Sequence, residues 1–317
     1  MSAWRERTHF IAAAGALLGA AGLAYWLLLA RGPTGVATAP PPAAAAPGPA
    51  PATKVAVSRA EGGVALLRPG AGREPLVAGV ELRPEDVIET VEGATVVLAA
   101  GESYQVVLEG AARFAVKEIA AEVSRFRLDD GLVTATVREE PGRAFVVEAA
   151  DAVARTRGGA LAMANVGGKV TVGVTGGRAD LESAGRIVTL QAGQGSTAQA
   201  GRAPTPPAPL PRSLLLKVDW PSARETNRRK LVVHGQTTPG AILTLGGQRV
   251  TVGSDGRFSQ TVWLREGAQA LDAVARDVAG RRERSRSQTV VLDTRAPDAE
   301  FDTRALWRGE GKTDPRR

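Results

Sequence analysis

The chain contains no cysteine and only two histidines, His9 and His234. Without thiols there is no disulfide scaffold, thiolate metal site, cysteine nucleophile or lipidated N-terminal cysteine. Two histidines do not make a multi-histidine metal site, nor do they supply the base in most hydrolase arrangements. Aromatic residues are also scarce, 4% of 317 residues against 44% hydrophobic overall, so the core must be built from Ala, Val and Leu. These absences argue against an enzyme, and no catalytic, cofactor-binding or metal-ligating residues and no cofactor are expected. They leave the compartment open, because many exported proteins also lack disulfides.

What is present is strongly segmented. Phe10 to Ala30 runs without a charge, and as a helix these residues would span about 31 Å, the thickness of a bilayer core. A cleaved signal peptide would have a shorter apolar region, and the small-residue site at Ala37-Thr38-Ala39 is followed by Pro40, so an uncleaved anchor is expected. Arg5 and Arg7 precede the span and only Arg31 closely follows it, which places the N-terminus in the cytoplasm and the body outside the inner membrane. Gly15, Gly19 and Gly22 leave open a helix-mediated homodimer, although Ala-rich spans produce this spacing by chance.

Twelve of the 20 prolines lie in residues 32–53 and 201–212, and these stretches read as stiff spacers. The second should neither join a sheet nor form a helix, so the flanking modules should fold independently and dock weakly. The division is then a cytoplasmic segment 1–9, a transmembrane helix 10–30, a Pro/Ala-rich linker 31–53, a module 54–200, a linker 201–212, a second module 213–298 and a disordered tail 299–317. Net charge is −2 over 53–202 and +6 over 212–298. Between the linkers, β-branched runs such as Thr95 to Ala100, Tyr104 to Glu109 and Lys169 to Thr175 recur every 8 to 12 residues with glycine-bearing breaks, and no helical period is sustained. The fold class is therefore all-β.

The order of motifs in the first module resembles the FecR domain. The counterparts are Glu85-Asp86-Val87-Ile88-Glu89-Thr90, Gly101-Glu102-Ser103, the strand Gly131 to Val137, and Leu190-Gln191-Ala192-Gly193-Gln194. Asp86, Ile88, Thr90, Gly193 and Gln194 carry the family-motif turns. Two positions depart from the pattern: Glu85 stands where the family has Gly, and Gly158-Gly159 where it usually has Gly-Thr. The second module is similar to bacterial immunoglobulin-like modules of the glucodextranase accessory type. Thr238 to Ala241, Asp255 to Phe258, Leu264 to Gly267 and Arg276 to Gly280 carry that likeness. Seven strand-like runs fit a β-sandwich. Phe258 and Trp263 should lie on opposite faces by parity, and Asp255-Gly256 should form a hairpin turn.

The FecR resemblance implies a periplasmic regulator, in a family that relays signals from outer-membrane transporters to cytoplasmic sigma factors. The nine residues before the span are too few for a sigma-binding domain, so direct sigma-factor binding by that segment is not expected. The expected role is a non-enzymatic, inner-membrane, single-pass protein binding a periplasmic partner in envelope signalling or assembly. The alternative is a module that holds peptidoglycan or another anionic glycan through the basic immunoglobulin-like domain. Arg224, Arg228, Arg229 and Lys230, with Arg276, Arg281, Arg282, Arg284 and Arg286, are read as loop clusters able to meet an anionic partner. No nucleic acid is expected, since no known fold or interleaved stacking aromatics accompany the charges. Asp129-Asp130 and Glu139-Glu140 read as solvated turns, His234 as a surface imidazole, and Gly309 to Thr313 as a tail rather than a phosphate loop.

Overall fold

The computed structural model describes residues 54–222 and 224–295, and every regular element among them is a strand. No helix among the described residues is long and apolar enough to cross a membrane. The expected span at 10–30, the first linker, the helix-dimer face and the tail lie outside the described residues.

The first module is one continuous sheet folded over on itself. Three long strands, Val123–Val137, Ala152–Val166 and Lys169–Ser183, each contribute one half to each of two layers. In one layer the order is Glu81–Leu82, Val55–Glu61, Thr95–Ala100, Tyr104–Glu109, then the second halves of Val123–Val137 and Ala152–Val166, the first half of Lys169–Ser183, Gln194–Gln199 and Ala208–Pro209. In the other it is Gly72–Pro75, Val64–Arg68, Val87–Thr90, Ala112–Ile119, the first half of Val123–Val137, Ala144–Ala149, the first half of Ala152–Val166, the second half of Lys169–Ser183 and Arg186–Gln191. Pairing is antiparallel throughout except between Ala144–Ala149 and Val123–Val137.

A strand passes from one layer to the other only if its backbone bends sharply, and glycine sits at each bend. Gly131 has φ +108° in the first long strand, Gly159 has φ +116° in the second and Gly177 has φ +70° in the third. Gly159 and Gly177 are partners across the ladder, and a Cβ on Gly159 would lie 2.2 Å from the Gly176 carbonyl oxygen. This explains Gly158-Gly159, where no β-branched side chain fits. Thr156 supplies a buried hydroxyl beside the bend, bonded to the carbonyls of Gly158 (2.9 Å) and Arg178 (2.8 Å). Between the layers lies one aliphatic core that includes Val57, Leu98, Ile88, Leu128, Met163 and Leu181. Four of the few aromatics, Tyr104, Phe114, Phe126 and Phe145, pack together within it at centroid spacings of 5.1 to 5.9 Å, Tyr104 edge-on to Phe126 and Phe145.

The second module is a sandwich of short sheets. Leu216–Asp219, Lys230–Thr237 and Arg257–Trp263 form one; Gln248–Val250, Ile242–Leu245, Asp272–Arg276 and Arg282–Arg286 form another; Glu225–Thr226, Val290–Leu292 and Gly267–Gln269 form a third. Phe258 is buried and Trp263 is 61% exposed, as parity requires. Asp255 accepts from the Arg257 amide and Gly256 takes φ +82°, closing the expected hairpin turn.

One expectation is corrected. The proline-rich stretch does join a sheet: Ala208–Pro209 pairs with Gln194 and Gly195, and the Leu210 amide donates to the Gly193 carbonyl. Its earlier part is strapped to the same edge, with the Thr205 amide on the Thr197 carbonyl and the Ser196 hydroxyl on the Thr205 carbonyl. Proline lacks a donor, which bars it from the middle of a sheet but not from an edge, where one side of the strand needs no partner.

Candidate functional site

The motif turns are architectural. Asp86 is 1% exposed, receives both Nε and Nη2 of Arg68 at 3.0 Å, and accepts from the Arg83 amide at 2.9 Å. Its carboxylate pushes the Arg68 guanidinium above the ordinary arginine value, through the hydrogen bond first and its charge second. Ile88 points into the core and the buried Thr90 hydroxyl donates to the Gly110 carbonyl. Gly193, with φ +83°, turns the chain so that the Gln194 side chain accepts from the Gln191 amide. Glu85, where the FecR pattern has glycine, takes φ +72°.

Tyr104 lies where that core meets the surface. Burial raises its phenol above the ordinary tyrosine value, while the Ser124 hydroxyl and the Arg143 charge act in the opposite sense. Arg143 stacks over the Tyr104 ring at 5.7 Å and donates to Ser103 and Glu140. Glu140 is held below the usual carboxylate range, by the Ser103 hydroxyl first and Arg143 second. Asp129 and Asp130 lie within the strand Val123–Val137 rather than in a turn, and three of the four acidic residues meet arginines: Asp129 meets Arg127 and Arg113, Asp130 meets Arg249, and Glu140 meets Arg143. Among the described residues no three His, Asp or Glu side chains converge as a metal site. Gly309 to Thr313 lies outside the described residues.

The basic residues are dispersed. Arg282, Arg284 and Arg286 do not lie in a loop; they alternate along an edge strand on Asp272–Arg276, all exposed, while Ser285 accepts from the Trp220 indole on the other side. Charged side chains are a usual means of blunting such an edge. Arg284 and Arg286 share Asp272, Arg281 pairs with Asp277 and donates to the Pro211 carbonyl, and Arg229 pairs with Glu266. Arg224 reaches Gln288, and the Lys230 ammonium lies 4.8 Å over the Trp263 ring. Arg228 and Arg282 make no ion pair among the described residues. Arg276 is 4% exposed and turned inward.

Arg276 turns inward because the two modules are in contact. Its Nη2 meets Glu92 of the first module at 3.0 Å, and Arg249 meets Asp130 at 2.6 Å and donates to the Ala111 carbonyl. Between these pairs Ile242 and Val278 pack on Leu132, Ala162 and Ala164, flanked by Val166 and Leu210. Gly173 admits this approach, since a Cβ there would lie 2.7 Å from the Val278 side chain. The expectation of weak docking assumed that no apolar interface exists, and one does.

A protein of two all-β modules, a folded double-layer sheet followed by a docked β-sandwich, is what these observations define. Residues 86–180 match the family model for FecR protein, and residues 216–294 match that for glucodextranase, domain B. The first module is thus similar to the FecR protein family and the second to glucodextranase, domain B, each over part of the chain. Two crystal structures of a candidate anti-sigma factor from Parabacteroides distasonis ATCC 8503 are similar at 12% and 11% identity, each covering 41% of this chain and 66% of that chain, with a TM-score of 0.36. The match thus spans just under two thirds of those chains. A polysaccharide lyase is similar at 9% identity over 77% of this chain and 40% of its own, with a TM-score of 0.19. No curated protein matches the sequence.

Proposed function

We propose that the chain is a non-enzymatic, membrane-associated regulator of the cell envelope, whose FecR-type module binds a periplasmic protein partner. The match of residues 86–180 to the FecR model carries this reading. It is supported by the engagement of every motif side chain within the fold, which leaves the module's outer surfaces for recognition. The anchor is the apolar run Phe10 to Ala30, with the body on the periplasmic side. Photo-reactive residues placed in the full chain at the exposed Val77, Glu102 and Ile187 should each be tested for adducts in intact cells. A discrete protein adduct at one of these sites supports the reading; adducts only from Ser259 or Thr261 of the second module, or none, overturn it. Protease added to spheroplasts should remove everything after Arg31, and a protected C-terminus would reverse the topology.

A second reading gives the immunoglobulin-like module a polymer ligand, peptidoglycan or another anionic glycan. The observation favouring it is the charge of residues 212–298, +6, with exposed Arg282, Arg284 and Arg286 in one row.

A further inference from the structure

The immunoglobulin-like module has two faces of different character. One sheet turns Ile242, Thr244, Arg249 and Arg276 onto the FecR-type module. The other, made of Leu216–Asp219, Lys230–Thr237 and Arg257–Trp263, keeps its outer face open. Register lays that face out in rows: Lys217, Gln236 and Arg257; then Asp219, His234 and Ser259; then Val232 with Thr261; then Lys230 with Trp263. All of these side chains are exposed. The first two rows border an open groove of about 610 Å³. The last row lies six residues along the strand from the first, about 20 Å away.

An outer face of an antiparallel sandwich is ordinarily polar. Here Val232 is 51% exposed and Trp263 61%, the latter with a lysine ammonium against its ring. Three cations, Lys217, Lys230 and Arg257, face one carboxylate, Asp219; the 3.7 Å contact of Arg257 with Asp255 is between exposed groups and is readily exchanged for another anion. An aromatic platform, a row of neutral hydrogen-bonding groups and an excess of positive charge on one open strip match a ligand with flat apolar faces, many hydroxyls and regular negative charge.

We infer that this sheet face binds an acidic polysaccharide. A sugar ring stacks on Trp263, hydroxyls bond to His234, Gln236 and Ser259, and carboxylates pair with Lys217, Lys230 and Arg257. The inference rests on the second reading above and moves its site from the arginine strand to this sheet.

The test is affinity electrophoresis of the full chain in native gels containing polygalacturonate, with dextran as the neutral control. Polygalacturonate should retard the chain in a salt-sensitive way and dextran should not. Trp263→Ala should weaken retardation about tenfold, the loss expected from one stacked aromatic. Lys217→Ala with Arg257→Ala should weaken it at least as much, and Arg282, Arg284 and Arg286 changed together to alanine should leave it within about twofold of the unaltered chain. If the triple arginine variant loses retardation while the sheet variants keep it, the polymer reading stands and this site is wrong. If polygalacturonate never retards the chain, both fail. If a sheet variant loses native mobility or the thermal transition, Gln236→Ala with Ser259→Ala takes its place and should weaken retardation by about threefold or more, and retardation unchanged by that pair would overturn the site.

Discussion

Replacing Gly159 by alanine puts a number on the bend that folds the sheet. Its φ of +116° is one that an L side chain avoids, at a cost of about 1 to 3 kcal/mol. The new Cβ would also lie 2.2 Å from the Gly176 carbonyl oxygen and 2.7 Å from its carbon, backbone atoms that cannot rotate away. Relief requires the ladder around Gly159 and Gly177 to open, and each lost backbone bond costs about 1 kcal/mol. Reduced freedom of the unfolded chain returns about 0.4 to 1 kcal/mol. The net loss should be about 3 kcal/mol, read as a lower urea midpoint with an unchanged slope. Gly193→Ala is the control, because it shares a positive φ, +83°, but its Cβ would have nothing within 4 Å; it should lose only about 1 to 2 kcal/mol. Equal losses for the two variants would refute the argument that close approach, not φ alone, demands glycine at the bend.

Other consequences follow from the same geometry. Glu85→Gly should stabilise the chain by about 1 kcal/mol in urea denaturation, because Glu85 holds φ +72° and glycine does so without a Cβ penalty. Asp86→Ala should lower the urea midpoint clearly, since it strands Arg68 and the Arg83 amide, whereas Glu89→Ala, which removes exposed pairs to Arg73 and Arg113, should move it little. Tyr104 has its phenol raised by burial, so above about pH 10 the unfolded state releases this proton first and stability falls with pH. Tyr104→Phe should remove that part of the alkaline loss in denaturation curves compared from pH 9 to 11; identical alkaline slopes in both proteins would refute it.

Much of the fold is legible in the sequence because its signals are local. Asp255-Gly256, the parity of Phe258 and Trp263, and the β-branched runs around Thr95 and Tyr104 each declare themselves within a few residues. The bends at Gly131, Gly159 and Gly177 are less legible, because a glycine inside a strand-like run can mark a bulge, a close approach or a break, and only pairing distinguishes them. The edge strand Arg282–Arg286 is hidden by its charge: alternating arginines read as a loop until Ser285 is seen facing the Trp220 indole. The docking of the modules had a signal that proline density overshadowed. From Ala160 to Ala164 the chain is apolar on both faces, with Leu161 and Met163 in the main core and Ala162 and Ala164 beneath the second module. A strand so composed needs cover on both sides. The candidate site was less legible still, because the outward rows from Lys217 to Trp263 come from three strands whose register the sequence does not specify.

The apolar contact and the Arg276–Glu92 pair between the two modules predict that they unfold as one body. Calorimetry of the full chain tests this most directly. A single cooperative transition is predicted for the unaltered protein, splitting into two when Arg276→Ala and Ile242→Asp together remove the pair to Glu92 and the apolar contact with Leu132, Ala162 and Ala164. Two transitions in the unaltered protein, left in place by those substitutions, would contradict it.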